Sequence, residues 1–218
     1  MKTALVFGSS GLIGGHLLNE LIKNDNYSKI KLFVRSDHGS NDLKTEIIKT
    51  DFNNLENHKE DIKGDDCFFC IGTTKQNSPD KNEYKRVELD VPKKIAQIAK
   101  SNLVNSFVYV SSGYADPNSS GDYLKFKGLV EEELKRLSFS KLGILRPSFL
   151  MGDRKEKRVG EKVGIFIFKL LSPLFLGPLK KMKPIHSKKV AKAMIKITNG
   201  EFKQNVFESN EIVEVSNS

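Results

Sequence analysis

The strongest constraint on this chain is the junction at residues 7 and 8, where an apolar run meets a set of glycines. Lys2-Thr3-Ala4-Leu5-Val6-Phe7 has the composition of a short buried strand and passes directly into Gly8-Ser9-Ser10-Gly11-Leu12-Ile13-Gly14. Beyond it, Leu12, Ile13, Leu17, Leu18, Leu21 and Ile22 recur at helical spacing. Strand, glycine turn and helix in that order let backbone N–H groups close on a pyrophosphate, with the positive end of the helix dipole facing the anion. The spacing is G-x-x-G-x-x-G rather than the G-x-G-x-x-G of the common fingerprint. Its place inside a strand-turn-helix unit selects a dinucleotide site over an ordinary tight turn. Gly8, Ser10, Gly11, Leu12, Ile13 and Gly14 are the expected contacts.

The rest of the sequence repeats this alternation. Strands are expected at 2–7, 30–35, 45–50, 66–71, 107–110 and 142–146, with a last one near Val206-Phe207. Helices are expected at 12–24, 54–62, 82–101, 123–137 and 187–198, and Pro92 predicts a kink or a late start in the third of these. Alternating β and α elements with short connections argue for an α/β fold with a doubly wound parallel sheet. At 218 residues the chain suits one domain with a full core. The pattern loosens after Arg146-Pro147, so 148–186 is read as a small C-terminal substrate lid. The apolar stretch 163–179 is too short and too interrupted, by Lys169, Pro173, Gly177 and Pro178, to span a bilayer.

Cysteine and charge bound the function classes. Cys67 and Cys70 form a C-x-x-C, but Asp66-Cys67-Phe68-Phe69-Cys70-Ile71 reads as a buried strand, whereas reactive thiol pairs favour helix N-termini. Two core thiols and no signal-peptide pattern lead to an expected cytoplasmic location. The net charge of +9 is concentrated: 151–192 holds twelve Lys or Arg against three acids. Such a face attracts an anionic substrate, a membrane surface or nucleic acid. Nucleic acid is disfavoured, because the only aromatic side chains there are Phe166, Phe168 and Phe175, which read as core or lid. Peripheral membrane contact is possible but not favoured. His186 reads as a capping or packing residue, and no metal site is expected.

Ligands of an open doubly wound sheet bind beyond the carboxyl ends of its strands. The second strand ends at Arg35-Ser36, where an NAD site usually carries an acid for the ribose 2′-hydroxyl; arginine suits a 2′-phosphate. NADP(H) is therefore favoured, with NAD(H) possible. Asp51 and Phe52 follow the third strand, where a carboxylate can accept from the adenine amino group. Gly72 and Thr73 follow the fourth, where glycine permits close approach to the cofactor ribose. The fifth delivers Ser111-Ser112, and eleven residues on comes Tyr123-x-x-x-Lys127. Positions i and i+4 share a helix face, and an ammonium beside a phenol stabilises the phenolate. Such a pair can protonate a carbonyl while hydride arrives, with a serine holding the substrate oxygen.

On these residues the sequence resembles an atypical short-chain dehydrogenase/reductase, of the small branch related to the Tat-interacting metastasis-suppressor oxidoreductase. The resemblance rests on the glycine turn, Cys70-Ile71-Gly72-Thr73-Thr74, Val110-Ser111-Ser112, Tyr123-x-x-x-Lys127-Gly128 and Leu145-Arg146-Pro147, and covers nearly the whole chain. It implies a Rossmann-type sheet in the order 3-2-1-4-5-6 and catalysis by a serine, Tyr123 and Lys127. The serine role falls to Ser112, with Ser111 as the fallback. It also implies that Arg146, Pro147 and Ser148 line the nicotinamide side, and that Ser111 and Lys127 contact the cofactor as well. One departure stands out. Many members carry an asparagine in the long fourth helix that helps pass protons to solvent, and here Glu88 occupies the expected place, with Asp90 close by.

The sequence thus leads to an NADP(H)-dependent oxidoreductase acting on a carbonyl/alcohol pair of a small molecule. Its rival is a redox-silent NADP(H)-binding sensor that works through a protein partner. Relatives of that second kind typically lose the tyrosine or the lysine, and this chain keeps both.

Overall fold

A computed structural model describes residues 1–36, 40, 42–152 and 183–218. The strands are β1 (Lys2–Phe7), β2 (Tyr27–Val34), β3 (Thr45–Lys49), β4 (Asp66–Phe69), β5 (Ser106–Val110), β6 (Lys141–Arg146), β7 (Leu150–Met151), β8 (Ile185–His186) and β9 (Val206–Glu208). The helices are α1 (Leu12–Ile22), α2 (Lys81–Lys85), α3 (Val91–Ser101), α4 (Asp122–Leu137), α5 (Ser187–Asn199) and α6 (Ser209–Asn217).

Seven strands form one sheet in the order β3-β2-β1-β4-β5-β6-β9, and every neighbouring pair is parallel. The fold is the expected Rossmann-type α/β sheet, extended by one edge strand. Strict alternation along β1 divides the core. Ala4 and Val6 face the layer of α1, α5 and α6, with Leu17, Leu21, Met194 and Ile212. Leu5 and Phe7 face the layer of α3 and α4, with Ile95, Ala99, Val130 and Leu134. Phe7 stacks on Phe33 at 4.3 Å between ring centroids, which fixes the register of the two strands at their carboxyl ends. Each such buried aromatic contributes roughly 1.5–3 kcal/mol.

Several expected elements change shape. The helix expected at 82–101 is three pieces: α2, a π-helical turn over Arg86–Asp90, and α3, which carries Pro92 in its first turn. A proline lacks an N–H to donate, and the first turn of a helix has no intrahelical partner for one. The wider π turn therefore accommodates the break. The helix expected at 54–62 is only a 3₁₀ turn over Leu55–His58. The short pair β7–β8 and the helix α6, opened by a Glu208–Glu211 capping box, were not legible beforehand. The expected lid 148–186 is bracketed by β7 and β8, which join its two ends; its residues 153–182, and with them 163–179, lie outside the described residues.

Cys67 is buried in the core as expected, whereas Cys70 is half-buried, just past β4, and borders both cavities. Burial pushes the Cys67 thiol well up and that of Cys70 to about 12, and Cys70 Sγ lies 3.8 Å from Met194 Sδ. Such thiols stay protonated and are poor nucleophiles. His186 caps α5: its Nδ1 accepts from the Lys188 N–H at 3.2 Å.

Candidate active site

The sheet reverses winding direction at β1, with β2 on one side and β4 on the other. A crevice opens where the carboxyl ends of these strands diverge. Gly8 makes its floor. Its φ of +92° is a backbone conformation that favours glycine, and a Cβ there would lie 2.9 Å from the Cys70 carbonyl carbon. A Cβ on Gly14 would lie 2.0 Å from the Gly8 oxygen, so only glycine lets α1 start against the end of β1. Gly11 caps α1 in extended conformation with no side-chain partner, and the first turn contains no acid. That leaves a positive helix end open toward the crevice, a fit for a pyrophosphate.

Two adjoining cavities share Ser10, Gly11, Gly72 and Thr73. The first contains Arg35, Asp51 and Phe52, as expected, together with Glu83 and Arg86, which the sequence reading missed. Arg86 holds Glu83 through Nε at 2.6 Å and Nη2 at 2.8 Å, and donates through Nη1 to the Phe52 carbonyl at 3.1 Å. Phe52 itself is left-handed, with φ of 62°. Both Asp51 oxygens already accept from Asn53, at 2.8 Å each, which holds that carboxyl below its ordinary range. No repeating pattern marks Arg86; only the broken helix brings it here. Ser36 does not line either cavity and is exposed.

The second cavity collects Ser112, Tyr123, Lys127, Pro147 and Ser148, with Leu12 and Ile13 opposite them. Helix α4 begins at Asp122 after an extended Gly121, and its last turn carries Lys135 and Arg136, both charges matching the helix dipole. A Cβ on Gly128 would lie 2.2 Å from the Pro117 nitrogen, so this glycine lets the helix press against the loop after β5. Tyr123 is 39% exposed at the cavity mouth, while Lys127 is buried beneath it. The Lys127 ammonium sits 5.9 Å from the centre of the Tyr123 ring and 4.9 Å from that of Tyr109. It donates to the Val110 carbonyl at 3.3 Å and pairs with Glu88 Oε2 at 3.1 Å. Burial alone would lower the Lys127 pKa, but Tyr109, Glu88 and Tyr123 together hold it well above the ordinary lysine value.

The two serines part company. Ser112 lines the cavity, its Oγ 3.3 Å from the Gly113 carbonyl. Ser111 also borders it, but its Oγ donates to Glu131 at 2.6 Å. Arg146 is the expected site residue that the structure turns elsewhere. Its guanidinium grips Glu131 at 2.9 and 2.6 Å, reaches Glu208 at 3.3 Å, and donates to the Ala115 carbonyl. A charge facing a buried carboxylate is drawn to it rather than to an open cleft. Gly14 likewise supports the turn from behind and does not border either cavity.

A crevice at the switch point, a glycine floor and a lysine under a tyrosine define a nucleotide-dependent Rossmann protein. The chain belongs to the NAD(P)H-binding family, which matches residues 8–200. It is 34% identical over 166 residues to protein HTATIP2 of Rattus norvegicus, covering 73% of this chain and 67% of that one. It is 30% identical over 168 residues to protein FMP52, mitochondrial, of Candida glabrata, covering 76% and 71%. Among solved structures, a UDP-N-acetylglucosamine 4-epimerase from Methanobrevibacter ruminantium M1 superposes with a TM-score of 0.71 at 19% identity, covering 98% of this chain and 80% of that one. The expected kinship with short-chain dehydrogenases/reductases is borne out. The cytoplasmic expectation is overturned, since several fungal relatives are named mitochondrial. It rested on reduced thiols and a missing signal-peptide pattern, and neither separates the cytosol from an organelle interior.

Proposed function

We propose that the chain is an NADP(H)-dependent oxidoreductase that interconverts a carbonyl and an alcohol on a small molecule, in mitochondria. One observation carries this reading: Tyr123 stands at the mouth of the cavity with the buried Lys127 ammonium beneath its ring and Ser112 in the same cavity. When bound, the nicotinamide supplies or accepts the hydride. Ser112 donates a hydrogen bond to the substrate oxygen, and the Tyr123 hydroxyl gives that oxygen its proton in the reducing direction. Lys127 keeps a positive charge beside the phenol, so that the phenolate left behind is stabilised. Arg146 takes no part in the step; it fixes the wall against which Pro147 and Ser148 present the substrate side.

Arg35, exposed at the end of β2 and lining the first cavity, supports the preference for a 2′-phosphate, whereas the Arg86 guanidinium is taken up by Glu83 and the Phe52 carbonyl. Titrating the protein with NADPH and NADH tests this, with Arg35→Asp as the comparison. NADPH is expected to bind more tightly to the natural chain, and the preference to fall about tenfold or more in the variant, roughly 1.4 kcal/mol. An unchanged ratio contradicts the assignment. The mitochondrial location is tested by fractionating cells that express the tagged chain; recovery only in the cytosol contradicts it.

A further inference from the structure

Glu88 is a carboxylate 1% exposed, placed by the π-helical turn rather than by an ordinary helix. Its Oε1 accepts from the Thr73 N–H at 2.5 Å, in the loop after β4 that borders both cavities. Its Oε2 lies 3.1 Å from the Lys127 ammonium, which is itself only 4% exposed. Asp90, the other acid of this turn, is exposed and held by Lys85 at 2.9 Å, so it does not compete for this place. We infer that Glu88 is a positioning residue that joins the nucleotide-facing loop to the lysine beneath Tyr123, so that one side chain sets both halves of the cleft. This rests on the proposed roles of Tyr123 and Lys127.

The physical argument is one of compensation. An ammonium buried this deeply without a counter-charge costs several kcal/mol and is driven toward its neutral form. A neutral lysine gives the Tyr123 phenolate no support. The groups facing Lys127 are Glu88 from the π turn, Tyr109 from β5, Tyr123 from its own helix, Tyr84 from α2 and Cys70 beyond β4. Of these, only Glu88 is a carboxylate. Burial raises Tyr84 and Tyr109 to about 12 and Cys70 to about 12, so all three are neutral at physiological pH. Glu88 is therefore the one carboxylate among these groups that faces the Lys127 ammonium, and its other oxygen ties that pair to Thr73.

The test needs no substrate. The ¹³Cε resonance of Lys127, assigned by its loss in Lys127→Met, is followed against pH in the natural chain and in Glu88→Gln. Glutamine still accepts from Thr73 but carries no charge, so the Lys127 titration is expected to move down by at least one pH unit. Glu88→Asp, which keeps the charge, is expected to recover part of the shift. From the other end, Lys127→Met is expected to move the Thr73 amide resonance, because the shared carboxylate loses one anchor; this arm stands if Glu88→Gln does not fold. An unmoved Lys127 titration in folded Glu88→Gln, or an unmoved Thr73 amide in Lys127→Met, overturns the inference. Full turnover in Tyr123→Phe would instead overturn the reading on which it rests, leaving the measured coupling of Glu88 to Lys127 and Thr73 intact.

Discussion

Strand β4 is flanked by two buried carboxylates, and their surroundings differ in one respect. Asp66, at its start, accepts from the Tyr27 hydroxyl at 2.6 Å and from Lys2 at 3.0 Å, while Thr198 lies 3.0 Å from the same hydroxyl. Glu88, packed beyond its other end, binds a lysine and a backbone N–H. Both clusters combine a carboxylate, a lysine and a tyrosine. The Asp66 cluster joins β1, β2, β4 and α5 and lines neither of the two crevice cavities, whereas the Glu88 cluster lies at the carboxyl ends of the strands and borders one. Buried charge by itself therefore does not single out a site in this fold; what separates the two clusters is their place relative to the crevice.

The sharpest way to break this comparison is to remove one charge from each cluster. Lys127→Met is expected to lower turnover by about a hundredfold or more. It should also lower stability by roughly 3 kcal/mol, because it strands the Glu88 carboxylate. Denaturant unfolding and steady-state rates check the two effects separately. Asp66→Asn, at the opposite end, is expected to lower stability by about 2 kcal/mol with rates unchanged. A loss of turnover there at unchanged fold would erase the distinction between the two ends.

Two tyrosines sharpen it further. Tyr27 is hydrogen-bonded to Asp66, whereas the buried Tyr109 hydroxyl has no hydrogen-bond partner among the described residues. Tyr27→Phe is thus expected to cost about 1 kcal/mol or more, and Tyr109→Phe about zero at neutral pH. Burial, then the Asp66 charge, hold the Tyr27 phenol above its ordinary value of 10.0, so the folded chain keeps this proton after the unfolded chain has lost it. That contribution is complete below about pH 10 and declines as pH rises beyond it. Thermal unfolding from pH 8 to 11 should show a shallower alkaline fall in Tyr27→Phe than in the natural chain; equal slopes would contradict the assignment.

What was legible in the sequence follows from how local each signal is. The glycine turn and the tyrosine-lysine pair are fixed by contacts within a few residues, so the placement of Gly8, Gly11, Tyr123 and Lys127 along the crevice was legible directly. Arg35 was legible at the crevice because a strand end names its own position. Glu83 and Arg86 were missed because they sit where the expected single helix breaks, in the short α2 and at the start of the π turn, while the apolar spacing of that stretch still reads as a plain helix. Arg146 was placed at the cleft by resemblance, but Glu131, fifteen residues away on α4, draws its guanidinium inward. Long-range ionic partners leave no trace in periodicity. The same holds for β7 and β8, two residues each and joined across the sequence by a pairing that no alternation could announce.

The most direct test of the account is NADPH oxidation by the purified chain across a panel of aldehydes, ketones and quinones, run beside Tyr123→Phe. Turnover of at least one carbonyl by the natural chain is expected, falling by about three orders of magnitude in the variant while NADPH affinity stays within about threefold. Turnover preserved in Tyr123→Phe would contradict the assignment of Tyr123 as the proton donor, and binding of neither nucleotide would contradict the cleft itself.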